Sequence, residues 1–144
     1  MIDTNLLVYS AVITSGLHPE ARRWMSQQFD DLEGFVALAW SALYGFTRIV
    51  SNRRIMGDKA LSSARAWEQA LGYLEQPAAR MVEPGPSHAR YASALFGTPG
   101  LSASDVADVY LAALAMEHGL TLATHDHGFG RFSNLSWEDP LTSD

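Results

Sequence analysis

The stretch that decides the fold is Ser102-Ala103-Ser104-Asp105-Val106-Ala107-Asp108-Val109-Tyr110-Leu111-Ala112-Ala113-Leu114-Ala115-Met116-Glu117-His118-Gly119, followed by Leu120-Thr121-Leu122-Ala123-Thr124-His125-Asp126. Ser102 with Asp105 three positions later has the form of a capping box, in which side chain and backbone satisfy each other's free hydrogen-bonding groups at a helix start. An apolar run over 109–116 follows, and Gly119 stands where a chain turns left-handed to leave a helix. Residues 120–124 then read as a short buried strand, with 125–128 as the loop at its carboxyl end. A helix that hands the chain directly to a buried strand is the repeating step of an α/β protein.

Upstream, the same alternation is visible. Residues 2–9 begin apolar and β-branched and read as a short buried strand running into a turn or helix. Only two residues precede Asp3, which predicts an edge position or more strand upstream. Ala21, Trp24, Met25 and Gln28 recur at helical spacing over 19–29, with Pro19 at a first helical position. An acidic turn at 30–34 leads to residues 36–50, apolar on nearly every side and read as a buried helix ended by Ser51-Asn52-Arg53-Arg54. Leu61, Ala64, Trp67, Leu71 and Leu74 form the stripe of a further helix, stopped by Pro77. Residues 79–82 suggest a strand, Pro84-Gly85-Pro86-Ser87 introduces a helix carrying His88, Tyr91, Ala92 and Leu95, and 135–137 suggest a last strand. Together these elements predict an α/β sandwich with a mainly parallel sheet, organised as one domain over 1–144.

Composition agrees and narrows the function. The chain has 144 residues, a formal charge of −6, 47% hydrophobic and 18% charged residues, and no cysteine. Folding at this size removes roughly 70% of the extended chain's surface from water, enough for a core without covalent staples. Wholesale disorder, disulfides, zinc-thiolate sites and thiol nucleophiles are excluded. Without an apolar run of spanning length or a signal-like N-terminal segment, a cytoplasmic location is expected. The acidic balance argues against a broadly basic nucleic-acid surface. A local one remains open because nine of the ten basic residues are Arg, whose planar fork suits phosphate.

In open α/β sheets, sites form beyond the carboxyl ends of the strands. Asp3 and Asp126 fall there, and Asp108 lies one to two turns into the helix that precedes the strand at 120–124. Three carboxylates from distant segments repel one another unless a hard divalent cation neutralises them, and Mg²⁺ or Mn²⁺ prefers such oxygen donors. The chemistry that follows is displacement at phosphorus by a metal-activated water. Asp105 sits one helical turn from Asp108 and is a further metal ligand or simply a cap. His125 and His127 flank Asp126, but alternate loop positions need not face the same way, and solvated rings are the simpler reading. His18, His88 and His118 carry less, His118 being explained by the helix dipole.

These residues also resemble a known family. Met1-Ile2-Asp3-Thr4-Asn5, the Asp-led run from Asp108 through Ala115 to Glu117-His118-Gly119, then Leu122-Ala123-Thr124-His125-Asp126, and Phe129 with Arg131-Phe132 are similar in order and spacing to PIN-domain ribonucleases of the VapC toxin family. The resemblance reaches Trp137 and Pro140. It implies a PIN-like α/β/α sandwich, an Mg²⁺- or Mn²⁺-dependent endoribonuclease acting on RNA such as tRNA or rRNA, a homodimer, and a cognate VapB-like antitoxin whose tail enters the active-site groove. It also implies Asp3, Asp108 and Asp126 as catalytic metal ligands, with Asn5 and Thr124 in support. Arg48, Arg53 and Arg54 would guide RNA, against the plainer reading of a solvated or antitoxin-facing surface.

Two positions depart from the family's pattern. Gly45 stands where a Glu precedes Arg48 by three residues, and Gly128 where a second Asp before Phe129 is common. Both remove negative charge. The competing expectation is therefore a catalytically weakened PIN-like domain that binds RNA or a partner protein without cleaving, and Gly45→Glu is the substitution expected to strengthen metal binding.

Overall fold

The computed structural model describes residues 1–31 and 33–142; Leu32 of the expected acidic turn lies outside them. Its chain forms helices α1 (Thr4–Ala11), α2 (His18–Asp30), α3 (Trp40–Val50), α4 (Arg53–Met56), α5 (Ser63–Leu74), α6 (His88–Phe96) and α7 (Val106–Glu117). The strands are β1 (Val36–Leu38), β2 (Ala79–Met81), β3 (Leu122–Ala123) and β4 (Trp137–Glu138). β1 pairs in parallel with β2, and β3 in parallel with β4.

The first three residues join these two pairs. The Ile2 N–H donates to the Ala37 carbonyl at 3.1 Å, the Asp3 N–H to Ala123 at 3.0 Å, and the Ala123 N–H to Met1 at 2.8 Å. Ile2 also makes a parallel bridge to Ala123. The order across the sheet is thus β2, β1, residues 1–3, β3, β4. This corrects the expectation of an edge position: the segment is central, and it turns at once into α1.

Both faces of this sheet are covered. Ile2, Val36, Leu38 and Ala123 pack with Leu6, Leu7, Met25, Leu43, Phe46, Ala66 and Ala70 from α1, α2, α3 and α5. Ala37, Val82 and Leu122 point to the other face, among Leu95, Val109, Leu111, Leu114, Phe129 and Phe132. The alternation of Val36 and Leu38 against Ala37 is the period of two expected for a strand, and burial of both faces is what a parallel sheet requires.

Two elements differ from the sequence reading. The apolar run 36–50 is not one helix but β1 followed by α3, with Ala39 extended between them at φ −113° and ψ 145°. A short buried strand and a buried helix segment have the same all-apolar appearance, so periodicity alone cannot separate them. Nor is α3 buried all round, since Tyr44 is 63% exposed. On α5 the buried positions are Ala66 and Ala70, whereas Ala64 is exposed and Trp67, Leu71 and Leu74 sit half-buried at the flanks; Leu61, also half-buried, precedes the helix. The small side chains let α5 lie close to α3.

The decisive stretch forms much as expected. Ser102 and Asp105 make the reciprocal capping box, but around a single 3₁₀ turn over Ala103–Asp105 that precedes α7. Asp108 therefore lies in the first turn of α7, closer to its N-terminus than the sequence reading placed it. Leu111 to Ala115 are buried consecutively, and Gly119 leaves the helix at φ +62°. Among the described residues no helix is long and apolar enough to cross a membrane.

Because Leu114 is fully buried, Leu114→Ala is expected to cost about 2–5 kcal/mol in urea unfolding, through lost contacts and an unfilled cavity. Ile13, 80% exposed, is expected to tolerate Ala within about 0.5 kcal/mol.

Candidate active site

Parallel strands all deliver their carboxyl ends to one edge, and there short polar segments begin helices. Asp3 follows the central segment and caps α1, Asp126 follows β3 and caps the 3₁₀ turn His127–Arg131, and Asp108 opens α7. Each carboxylate thus stands at a helix start, where unpaired N–H groups and the helix dipole favour negative charge. The three line one cavity of about 540 Å³, together with Asn5, Gly45, Arg48 and Ser104.

A hydrogen-bond network ties this cluster down. Asp3 Oδ1 accepts from the Thr4 N–H at 2.6 Å, while Oδ2 accepts from Asn5 Nδ2 at 2.8 Å and from the Thr124 hydroxyl at 2.7 Å. Thr124 Oγ1 in turn accepts from Asn5 Nδ2 at 2.9 Å and from the Asp126 N–H at 3.0 Å. Asn5 Oδ1 accepts from the His125 N–H at 3.2 Å. Thr124 is fully buried, so its hydroxyl needs these partners. The network connects the segment carrying Asp3 to the loop carrying Asp126 and sets the direction of both.

Charge in the cluster is only partly balanced. Burial pushes the Asp108 carboxyl up to about 6, repulsion from Asp126, Asp3 and Asp105 adds to it, and Arg131 opposes it. Asp3 is also raised, by burial first, against the hydrogen bonds from Thr124 and Thr4 and with repulsion from Asp126. Arg131 is the residue the sequence reading left without a role. Its Nη2 lies 2.9 Å from Asp105 Oδ1 and 2.8 Å from Asp108 Oδ2. The signal for it was a lone cation five positions beyond Asp126, among apolar Phe129 and Phe132.

Of the other candidates, Asp105 is held by the Ser102 N–H and hydroxyl and by Arg131; the Ser102 backbone bond chiefly keeps its carboxyl below the ordinary range. It reaches the cluster through Arg131 and is not among the residues that line the cavity. Arg48 is on the cavity wall, whereas Arg53 and Arg54 are exposed on α4 and away from that lining. Gly45 does line the cavity. A Cβ there would fall 2.7 Å from Thr4 Oγ1 and 3.0 Å from Thr4 Cγ2, so an acid at 45 requires Thr4 to give way.

The fit of a hard cation can be judged from the donors. Asp108 Oδ1 and Asp126 Oδ2 have no hydrogen bond among the described residues, and the carboxyl groups of Asp3 and Asp108 are raised by burial first and by repulsion from neighbouring acids after it, both of which a bound cation offsets. Oxygen ligands of this kind suit Mg²⁺ or Mn²⁺.

Comparison with known proteins agrees with this geometry. The profile of the PIN domain matches residues 1–135. The chain belongs to the PIN-domain family. It is 34% identical to ribonuclease VapC43 of Mycobacterium tuberculosis over 140 residues, covering 97% of this chain and 94% of that protein. It is 31% identical to ribonuclease VapC37 of the same organism, covering 97% and 96%. These relatives place it among the VapC proteins. The crystal structure of VapBC2 from Rickettsia felis, bound to a promoter DNA fragment, superposes at a TM-score of 0.71 with 18% identity, covering 96% of each chain. That likeness extends the shared PIN-like α/β/α architecture to a solved structure.

The raised Asp108 carboxyl gives a pH dependence. Its folded value lies above the unfolded one, near 3.8, so the stability it contributes is complete at low pH and is lost as pH rises to about 6. In EDTA, Asp108→Asn is therefore expected to match the wild type's melting temperature near pH 4 and to exceed it above pH 6. Thermal melts across that range check the difference.

Proposed function

We propose that this VapC-family protein is a metal-dependent endoribonuclease toxin of a VapBC-type pair. The observation that carries the reading is the convergence of Asp3, Asp108 and Asp126, from the two ends of the chain, on one cavity where Asp3 and Asp108 both hold protons too tightly. Asp3, Asp108 and Asp126 would hold Mg²⁺ or Mn²⁺, and the ion when bound lowers the pKa of a water and steadies phosphate oxygens. Asn5 and Thr124 keep the Asp3 carboxylate aimed into the cavity. Arg131 orients Asp108 and partly opposes its raised proton affinity, and Arg48 on the wall offers a fork for phosphate. The names of the relatives support an RNA substrate, and the VapBC2 complex supports a VapB-like antitoxin as partner.

A second reading, RNA or protein binding without cleavage, is kept by one observation: Gly45 leaves that wall of the cavity without an acid. Total RNA incubated with the protein and Mn²⁺ separates the two. Cleavage is expected, lost in EDTA and reduced by at least about 100-fold in Asp108→Asn. RNA left equally intact by both proteins, yet retained on a filter by the wild type, would replace the enzyme reading with the binding one.

Gly45 supplies a further test. Gly45→Glu alone must displace the Thr4 side chain, whereas Thr4→Ala with Gly45→Glu removes both close atoms. The double variant is expected to bind Mn²⁺ more tightly than Thr4→Ala alone by calorimetry, and the single variant to gain less.

A further inference from the structure

We propose that His125, His127 and Asp139 form a second metal site, for a first-row transition ion such as Zn²⁺, beside the acid cavity. The sequence reading left the two histidines facing apart and did not consider Asp139. In the structure they converge: His125 Nδ1 lies 3.0 and 2.9 Å from the two Asp139 oxygens, and His127 Nε2 lies 2.7 Å from Oδ2. One donor atom from each of the three lies within 4.8 Å of the others. Asp139 follows β4 as Asp126 follows β3, so parallel pairing puts it at the same edge of the sheet, one strand further out.

The arrangement is held before any ion arrives. The Asp139 side chain is only 6% exposed, and its Oδ1 accepts from the Leu141 N–H at 3.0 Å. Burial pushes its carboxyl up, but the bonds from His127, His125 and Leu141 together keep it below its ordinary value. The His125 ring stands edge-on to Tyr9 at 5.9 Å, and the His127 ring lies 5.8 Å from that of Trp137. An open cleft of about 480 Å³, lined by Asn5, Tyr9, His125, Asp126 and His127, provides an entry path and room for water ligands.

The donor set selects the ion. An ionised carboxylate only accepts, so each imidazole presents an N–H to Asp139, and an ion takes the place of those protons. With ligand distances of about 2.0–2.2 Å, donors around a tetrahedral ion stand roughly 3.3–3.6 Å apart. The two histidine–Asp139 pairs need only open by several tenths of an ångström, and the histidine nitrogens already stand within 4.8 Å of each other. Two imidazoles with one carboxylate suit Zn²⁺, Co²⁺ or Ni²⁺, whereas the all-oxygen cavity suits Mg²⁺. Asp126 lies between the two histidines, so an ion here clamps the loop that carries it.

The test is a Co²⁺ titration of the full chain in excess Mg²⁺, read by visible d–d absorption, with Zn²⁺ added last. One equivalent of Co²⁺ is expected to bind and to be displaced by Zn²⁺. His127→Gln and Asp139→Asn are each expected to weaken binding by about 10-fold or more, and Asp108→Asn to leave it unchanged. The His127 side chain is 64% exposed, so its replacement leaves the packing intact. No absorption with the wild type, or a titration that is the same in His127→Gln, would overturn the site.

Discussion

Negative charge gathered at the carboxyl edge of a parallel sheet is the constraint on which the rest of the structure depends. Two parallel pairings bring the ends of residues 1–3, β3 and β4 side by side, and each end is followed by a turn that must satisfy free N–H groups. Aspartate serves that purpose at Asp3 and Asp126. The same choice that caps the turns also concentrates carboxylates, and their mutual repulsion is a cost of the fold when no cation is present.

The surrounding residues distribute that cost. Asn5 and Thr124 supply neutral donors that hold Asp3 without adding charge, and Arg131 adds one positive charge shared between Asp105 and Asp108. Arg131 is placed by the 3₁₀ turn that Asp126 itself begins, with Phe129 and Phe132 buried on either side. Charge, cap and hydrophobic anchor are thus parts of one loop. One strand over, the histidines on both sides of Asp126 turn away from the acid cavity toward Asp139, so two clusters of different donor chemistry share the segment 125–127.

Much of the fold was legible because local rules agreed with one another. Capping box, apolar run, left-handed glycine and buried strand occur in unbroken order over 102–124, and each restricts its neighbour. The run 36–50 was misread because burial on all sides erases the periodicity that distinguishes strand from helix. The central position of residues 1–3 was misread because a strand's place in a sheet depends on partners far away in the chain, here Ala37 and Ala123. In the site, the acids stood out by type and by their positions at strand ends. Arg131 and Asp139 did not, since a single charge in a loop has no periodicity and its partners are 23 and 26 residues away for Arg131 and 12 and 14 for Asp139.

The sequence by itself determined the α/β alternation, the parallel character of the sheet and which aspartates follow its strands, because capping and hydrophobic period act over a few residues. Only the tertiary structure decided the strand order, the pairing of Arg131 with Asp105 and Asp108, the obstruction of Gly45 by Thr4, and the meeting of His125 and His127 at Asp139. Those depend on which distant backbone segments hydrogen-bond side by side, a matter of mutual packing that no local pattern encodes.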